Sequence, residues 1–268
     1  MRKNFIFVLF VSFIFLFFVL IGCEDIVDSD NDVSNTDFEA SETFLFEVVV
    51  VNHTQFRLEG INGDVNINGD PDATSVLITG ERIVGSDSIE DAEEHLDELL
   101  VIVHDLTDEV FVETVQPEDT NGRNYQVNYT VTLPQNMQLI ITNVNGIVAI
   151  ESIDNSVLVT NVNGQIVING ITASINAQLV NGSITGDIML PLNGTMIMGN
   201  VNGLIDLEIP EDTSAQFSAT LVNGIIIITD LDLEDEIITN TSVTGTLGDG
   251  SGTITLTNVN GNIMVAGY

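Results

Sequence analysis

The chain has 268 residues, with 40 acidic side chains against five Lys and Arg, so its formal net charge is −35 at neutral pH. A charge of this sign excludes nucleic acids and anionic lipids as surface ligands, because their phosphates would be repelled. Cations are expected to associate with the chain without specificity. Cys23 is the only cysteine, which excludes a disulfide within the chain.

The chain begins with a segment typical of export signals. Two basic residues precede an apolar run from 5 to 21, and Leu20-Ile21-Gly22-Cys23 follows at once. This tetrapeptide resembles the lipobox of bacterial lipoproteins, in which the cysteine is lipidated and becomes the new N-terminus. We predict a signal peptide at residues 1–22 and a lipid anchor on Cys23, outside a bacterial membrane. An uncleaved membrane anchor with an incidental cysteine is the alternative.

Residues 23–43 are rich in Asp, Ser, Asn and Thr, which predicts a solvated acidic linker after the lipidated cysteine. Four acids match the first, third, fifth and twelfth positions of an EF-hand loop: Asp28, Asp30, Asp32 and Glu39. The sixth position is Val33, where that loop needs Gly for its sharp turn. The acids are therefore interpreted as linker residues, and no metal site is predicted.

Residues 44–268 are predicted to form one all-β domain. It opens with β-rich runs, and Gly63 ends the first copy of a pattern that later recurs. An insertion at about 85–135 interrupts this pattern. Its residues Ile89, Ala92, Leu96 and Leu99 recur at helical spacing after Ser88, a candidate N-cap, so one short helix is predicted. The β-rich runs at 100–103, 109–112 and 125–133 complete the insertion.

The phrase Val-Asn-Gly recurs six times after residue 139. Successive glycines are 18, 18, 21, 21 and 37 residues apart, and the last interval is divided if Val243-Thr244-Gly245 is a worn copy. A period near 20 with short strands predicts a parallel β-helix-like solenoid. The Asn-Gly pairs are interpreted as turns, since both residues tolerate positive φ. These predicted turn and ladder residues are Asn145, Gly146, Asn163, Gly164, Asn181, Gly182, Asn202, Gly203, Asn223, Gly224, Asn260 and Gly261.

Alignment on the glycine predicts which side chains face inward. Apolar residues occupy the fifth and seventh positions before it and, in every copy except that of Gly182, the second and fourth positions after it. The third position before it holds Asn or Leu, where buried Asn is expected to stack on Asn. The first and third positions after it are predicted to face outward. Leu204, Ile225 and Ile227 then form an apolar cluster, either covered by the helix or serving as an interface.

The order of these parts resembles the bacterial putative-adhesin domain family, whose biochemical function is unknown. The resemblance covers roughly residues 44–268 and rests on an early Gly-Ile-Asn-Gly, also similar to the head GIN domain, a Ser-x-x-x-Ala-x-x-x-Leu helix, a Tyr-x-Val-x-Tyr strand ending at Pro134, and the Asn-Val-Asn-Gly copies. It implies a β-helix-like fold and surface attachment. The chain departs from the family after the glycine, where Asp or Ser is common; here Ile147, Gln165, Leu204 and Ile225 stand.

Catalytic chemistry has little support in the sequence. No Lys, Arg, His or Cys occurs from residue 139 onward. Polysaccharide lyases, the β-helix enzymes that would otherwise be suspected, resemble one another in using a basic side chain to take a proton. A carboxylate pair for glycoside hydrolysis is conceivable among Glu151, Asp154, Asp187, Asp206 and Glu208. The histidines, His53, His95 and His104, lack metal-ligand spacing. No catalytic, cofactor or metal residue is predicted.

The sequence therefore predicts a non-catalytic, lipid-anchored protein of the cell envelope that acts in adhesin-like binding or in envelope structure. Its expected partners are the membrane, through the lipid, and an envelope protein or polysaccharide. Two alternatives remain open at this point: a carbohydrate-active enzyme that uses two carboxylates, and a regulatory lipoprotein of envelope stress.

Overall fold

A computed structural model describes residues 36–268. The predicted signal peptide, Cys23, the linker up to residue 35 and three of the four EF-hand-like acids lie outside the described residues. In the described part, no helix is long and apolar enough to cross a membrane.

The described chain is almost entirely β-structure in one large sheet. Its helical content is one short α-helix, α1 (Ile89–His95), followed by a single 3-10 turn (Leu96–Glu98). The strands are β1 (Phe38–Val49), β2 (Gln55–Glu59), β3 (Val65–Asp70), β4 (Ser75–Ser86), β5 (Leu100–Asp105), β6 (Glu109–Val115), β7 (Asn124–Pro134), β8 (Gln138–Glu151), β9 (Val157–Ile171), β10 (Ile175–Ile188), β11 (Thr195–Ile209), β12 (Ala215–Asn223), β13 (Ile226–Thr229), β14 (Leu233–Ile238), β15 (Ser242–Leu247), β16 (Gly252–Asn260) and β17 (Ile263–Gly267).

The central strands pair in parallel, and each copy of the motif lies in register on the next. Gly146 is paired with Gly164, Gly164 with Gly182, and Gly182 with Gly203. We call each strand or strand pair that stacks in parallel in this way a layer. Layers follow one another in the order β6/β7, β2/β3, β8, β9, β10, β11, β16/β17 and β12/β13.

This order departs from the chain order at the C-terminal end. The layer of Gly261 lies between those of Gly203 and Gly224, because β16 pairs with both β11 and β12. The interpretation of Val243-Thr244-Gly245 as a worn copy of the motif is wrong. Gly245 lies in β15, which runs antiparallel to β12. The strand β15 occupies the outer edge of β12 and leaves the inner edge to β16.

Antiparallel strands cover the ends of the stack. At one end β4 pairs with β7, β1 with β4, and β5 with β6. At the other end β15 pairs with β12, and β14 with β15. Such covering strands limit the unpaired backbone groups through which sheets associate.

Two predicted boundaries need correction. The β domain begins at Phe38 rather than at 44, because 38–43 pair with β4 along a continuous antiparallel ladder. The insertion at 85–135 is not separate from the repeats, since its strands β6 and β7 form the first parallel layer. Alternating apolar residues are common to both kinds of pairing, so the sequence pattern does not distinguish them.

The interior follows the predicted alternation. The residues at the predicted inward positions are buried, with the exception of Ile226 and Ile228 in the last layer, which are half-buried. Burying an aliphatic side chain of this size contributes roughly 1.5–3 kcal/mol. The few buried side chains of one layer cannot by themselves offset the conformational entropy that is lost when its residues are ordered. Each layer is therefore stabilised by the layers on both sides of it.

The helix begins as predicted, with Ser88 as its N-cap. The Ser88 hydroxyl accepts a hydrogen bond from the backbone N–H of Asp91 at 3.1 Å. Ala92 and Leu99 are buried, and α1 packs against β1 and β4. Arg123 donates to Asp91 through Nε at 2.6 Å and through Nη2 at 2.7 Å, so the helix is tied to the start of β7.

This ion pair should make the stability of the helix region depend on pH. The bonds from Arg123, and secondarily from Ser86, hold the pKa of Asp91 well below its usual range. The unfolded chain then binds more protons than the native one in acid, so this stabilisation is present at neutral pH and is lost as the pH falls. We expect Asp91→Asn to lower the melting temperature at neutral pH, with a difference from wild type that shrinks below about pH 4.

Melting temperatures measured from neutral to acidic pH check this expectation. Glu93→Gln is the matched control, since Glu93 is exposed on the same helix. The same pH profile for both variants would contradict the assignment.

Candidate binding face

One face of the stack is organised by a column of seven glycines. They have φ between 117° and 142°, a range that side chains with a Cβ rarely adopt. A Cβ added at six of them would overlap the carbonyl oxygen of the glycine in the neighbouring layer, and one added at Gly63 would overlap that of Val127. The column comprises Gly63, Gly146, Gly164, Gly182, Gly203, Gly261 and Gly224.

Gly63, Gly224 and Gly261 lie in the short connections between β2 and β3, β12 and β13, and β16 and β17. The other four glycines of the column do not lie in loops between strands, as a turn would require. Those of β8 to β11 lie inside continuous strands. The inward alternation nevertheless changes phase between the third residue before the glycine and the second after it. In the register of β10 on β11, Val180 and Val201 are left out of the pairing. The strand therefore bends at Val-Asn-Gly without being interrupted.

Buried asparagines hold the glycine carbonyls from inside. The third residue before the glycine is buried in each motif copy after residue 139, as predicted. Asn143 is paired with Asn161 and Asn200 with Asn258 in the strand register, so Asn lies on Asn there as expected, but their Nδ2 atoms donate elsewhere. Each Nδ2 donates to the glycine carbonyl of a neighbouring layer at 2.8–3.2 Å, from Asn143, Asn161, Asn200 and Asn258 to Gly63, Gly146, Gly182 and Gly203 respectively. These asparagines satisfy carbonyls that the bend turns away from the strand ladder.

A second row of asparagines forms the amide ladder on the outside. These residues directly precede the glycines, and each Nδ2 donates to the Oδ1 of the next Asn at 2.6–2.9 Å. The ladder ends on the backbone carbonyl of Tyr125, which accepts from Asn62 at 2.9 Å. Its order is Asn62, Asn145, Asn163, Asn181, Asn202, Asn260 and Asn223. With strands about 4.8 Å apart, the ladder is roughly 30 Å long.

Position within the amide ladder should determine the stability cost of removing one amide. Asn181 both donates to Asn163 and accepts from Asn202, whereas Asn223 makes only its bond to Asn260. At about 0.5–1.5 kcal/mol per hydrogen bond, Asn181→Ala should cost roughly twice as much as Asn223→Ala. Denaturant titration of both variants measures this. Equal losses of stability in the two variants would contradict the prediction that the cost follows the number of ladder hydrogen bonds removed.

A shallow groove runs beside the amide ladder across four layers. Its volume is about 590 Å³. Its floor consists of glycine backbone, and its side chains are mainly neutral and polar. The lining residues are Gly164, Gln165, Gly182, Ser183, Gly203, Leu204, Gly261 and Asn262. The sequence identified the ladder residues but did not indicate this groove, because the groove needs Asn262 beside Leu204 and hence the layer order of the folded chain.

The predicted apolar cluster is divided in the structure. Ile205 pairs with Ile263, and Ile263 pairs with Ile226, which places Asn262 between Leu204 and Ile225. The prediction that Leu204 adjoins Ile225 is therefore wrong, because it assumed that layers stack in chain order. The helix does not cover this site either, since α1 packs on β1 and β4 at the other end. Ile225 and Ile227 are 54% and 40% exposed.

The acids considered for hydrolysis lie in several layers. Only Asp187 and Glu208 are direct neighbours in the strand register, on β10 and β11. Asp187 accepts a hydrogen bond of 2.6 Å from the hydroxyl of Tyr268, and this bond raises the pKa of Tyr268 to about 12. Asp187 is therefore engaged with a phenol that stays protonated at neutral pH.

The histidines contact carboxylates in separate places. His53 bonds Asp105 at 2.8 Å, His104 bonds Glu113 at 2.8 Å, and His95 lies 3.1 Å from Glu98. Within residues 36–268, no group of three His, Cys, Asp or Glu side chains is placed to hold a metal ion.

Comparisons with known proteins give similarity only at the level of solved structures. No family model matches the chain, and no curated protein matches it. The chain is similar to a putative cell adhesion protein from Clostridium sporogenes, at 13% identity and a TM-score of 0.45, over 85% of this chain and 100% of that one. It is also similar to a putative adhesin from Bacteroides fragilis, at 12% identity and a TM-score of 0.33, over 84% and 97% of the two chains.

A third similar structure is a putative lipid binding protein from Parabacteroides distasonis, at 8% identity and a TM-score of 0.30, over 84% of this chain and 95% of that one. At these identities and TM-scores, the similarities carry no conclusion about the ligand or activity of this chain.

Proposed function

We propose that the chain is a non-catalytic, lipid-anchored protein on the extracytoplasmic side of a bacterial membrane, whose layers form a parallel β-helix-like solenoid with an extended binding face. The observation that carries the proposal is the unbroken amide ladder with the groove beside it. Layers held by glycine contacts and two rows of amides present the same groups at a fixed spacing. Such a rigid, repetitive surface suits an elongated partner.

The composition of the groove narrows the class of partner. Gln165, Ser183 and Asn262 offer hydrogen bonds, while Leu204 offers apolar contact. A polyanion is disfavoured, since the chain carries a formal charge of −35. A neutral polysaccharide or an extended segment of an envelope protein fits this chemistry. Adhesin-like binding is thus the activity we propose for the groove.

Enzymatic hydrolysis is the alternative that an experiment must separate from binding. No Lys, Arg or His occurs from residue 139 onward, and Tyr268 engages Asp187 of the one carboxylate pair in register. These observations support a binding role, in which the acids solvate the surface.

A binding experiment with a blocked groove tests the proposal. The probes are peptidoglycan fragments and a panel of neutral polysaccharides, with bound and hydrolysed material measured in the same samples. Ser183→Arg should remove binding by filling the groove, while Asn68→Arg places the same charge on the exposed side of β3 and should retain it. Turnover that Asp187→Asn abolishes would favour the enzyme. Equal binding by the two arginine variants would reject the groove as the site.

A further inference from the structure

The two ends of the stack are covered to different extents. At the first end both strands of the outer layer are paired, β6 with β5 and β7 with β4. At the last end β15 pairs with β12 over Ala215–Thr220. Of the strands described, only β17 pairs with β13. Residues 222–229 therefore form an open half-layer at the end of the sheet.

The open half-layer exposes both apolar side chains and backbone groups. Val222 is 63% exposed, more than Ile225 or Ile227. The backbone N–H of Ile225 donates to Asn262 Oδ1 at 3.2 Å, and its carbonyl accepts from Ile263 N at 3.0 Å, so both groups face β17. Because these groups alternate in direction along a strand, those of Ile226 and Ile228 face the open edge. An edge of this kind is a template for strand addition.

The amide ladder ends at the same place with an unused acceptor. Every Nδ2 in the ladder donates toward the first layers. Asn223 donates to Asn260, and among the described residues nothing donates to Asn223 Oδ1. Since aligned amides polarise one another, this terminal oxygen is an acceptor that favours a donor from the next layer.

The charge around the open half-layer indicates the sign of the charge that a binding partner would carry. Five acids lie within the seven residues after β13: Asp230, Asp232, Glu234, Asp235 and Glu236. No Lys or Arg follows Arg123 in the sequence, so no cationic side chain from that part of the chain offsets them. A positively charged partner would be attracted to this end, and its association would weaken with added salt.

We propose that an extended, positively charged segment of another protein adds to β13 as a further strand. Its backbone pairs with Ile226 and Ile228, its apolar side chains cover the open end of the core, and its basic side chains lie near residues 230–236. A donor at its start meets Asn223 Oδ1. This surface is distinct from the groove beside the amide ladder, so the inference does not depend on the function proposed for that groove.

A second copy of the chain is a poorer occupant. Contact between two open half-layers would bring two acceptor oxygens of Asn223 and two acidic segments together. Stacking of the open end on the first end of another copy would require displacing β4 and β5, which cover that end. Both ways of self-association are therefore unfavourable.

The experiment uses the purified full-length chain in mild detergent and a fluorescent peptide with a Val-Thr-Val-Thr centre and lysines at both ends. We expect saturable binding by fluorescence anisotropy. Glutamates in place of the lysines, or N-methyl groups on alternate peptide nitrogens, should each weaken binding by roughly tenfold or more. Ile226→Pro should do the same, because proline removes an N–H that faces the open edge. Ile238→Thr, an exposed change on β14, should leave binding unchanged.

Several results would overturn the inference. Equal binding of the lysine and glutamate peptides would remove the charge argument, and equal binding of the N-methylated peptide would exclude strand addition. Circular dichroism shows whether Ile226→Pro folds, and the N-methylated peptide tests the edge if that variant does not. A concentration-dependent dimer that Ile226→Pro abolishes would make a second copy the occupant instead.

Discussion

Gly182→Val is expected to destabilise the fold by at least about 3 kcal/mol. Gly182 has φ of +134°, a conformation that is essentially restricted to glycine. A Cβ there would also overlap the carbonyl oxygen of Gly164, which is backbone and cannot rotate away. Gly182 lies at the middle of its column, so any shift disturbs both neighbouring layers. In a chain of this size the melting temperature should fall by roughly 6–12 °C.

Gln165→Val is the matched control for this prediction. Gln165 lies in the neighbouring layer, one residue after Gly164, and its side chain is exposed. Valine suits a strand, so the variant should stay within about 0.5 kcal/mol of wild type. Hydrogen exchange of both variants would show whether the layers on the two sides of Gly182 lose protection together. Equal melting temperatures would contradict the proposed role of the glycine contacts.

The local features of the fold were predictable, because their causes lie within a few residues. Alternation about the glycine identified the buried positions, and Ser88 with its helical spacing identified the helix. The stacking order was not predictable in this way. The copies ending at Gly203, Gly224 and Gly261 offer equivalent partners to one another, so no local signal decides which pairs form. The choice depends on β15, which occupies one edge of β12.

The sequence pattern also did not predict which of the two rows of asparagine forms the amide ladder. Asn occurs both three residues and one residue before the glycine, and either row could have formed the ladder. The bend at Val-Asn-Gly decides between them, since it directs the first row toward glycine carbonyls and leaves the second row side by side on the surface.

Cys23→Ala is expected to abolish lipid attachment completely. The lipobox-like Leu20-Ile21-Gly22-Cys23 supplies the only thiol of the chain, so no other cysteine can carry the acyl groups. Membrane-bound proteins often combine an acyl chain with a basic patch. Removal of residues 1–22 would take away Arg2 and Lys3 and no acid, so a mature chain with 40 acidic and three basic residues, of charge −37, would be repelled by anionic lipids. In the proposed lipoprotein, anchoring would therefore have to come from the acyl chains alone. Removing their attachment site should leave the precursor unprocessed and unlabelled.

Incorporation of labelled fatty acid and the intact mass of the protein measure this effect. The wild type should carry the label and lack residues 1–22, while Cys23→Ala should carry no label and keep the precursor mass. Ser12→Ala, a small change inside the apolar run, is the control that should be processed normally. An unlabelled wild type with full precursor mass would establish the uncleaved anchor instead. In that case the apolar run would hold the chain at the membrane, and Cys23→Ala would leave both its mass and its detergent partitioning unchanged.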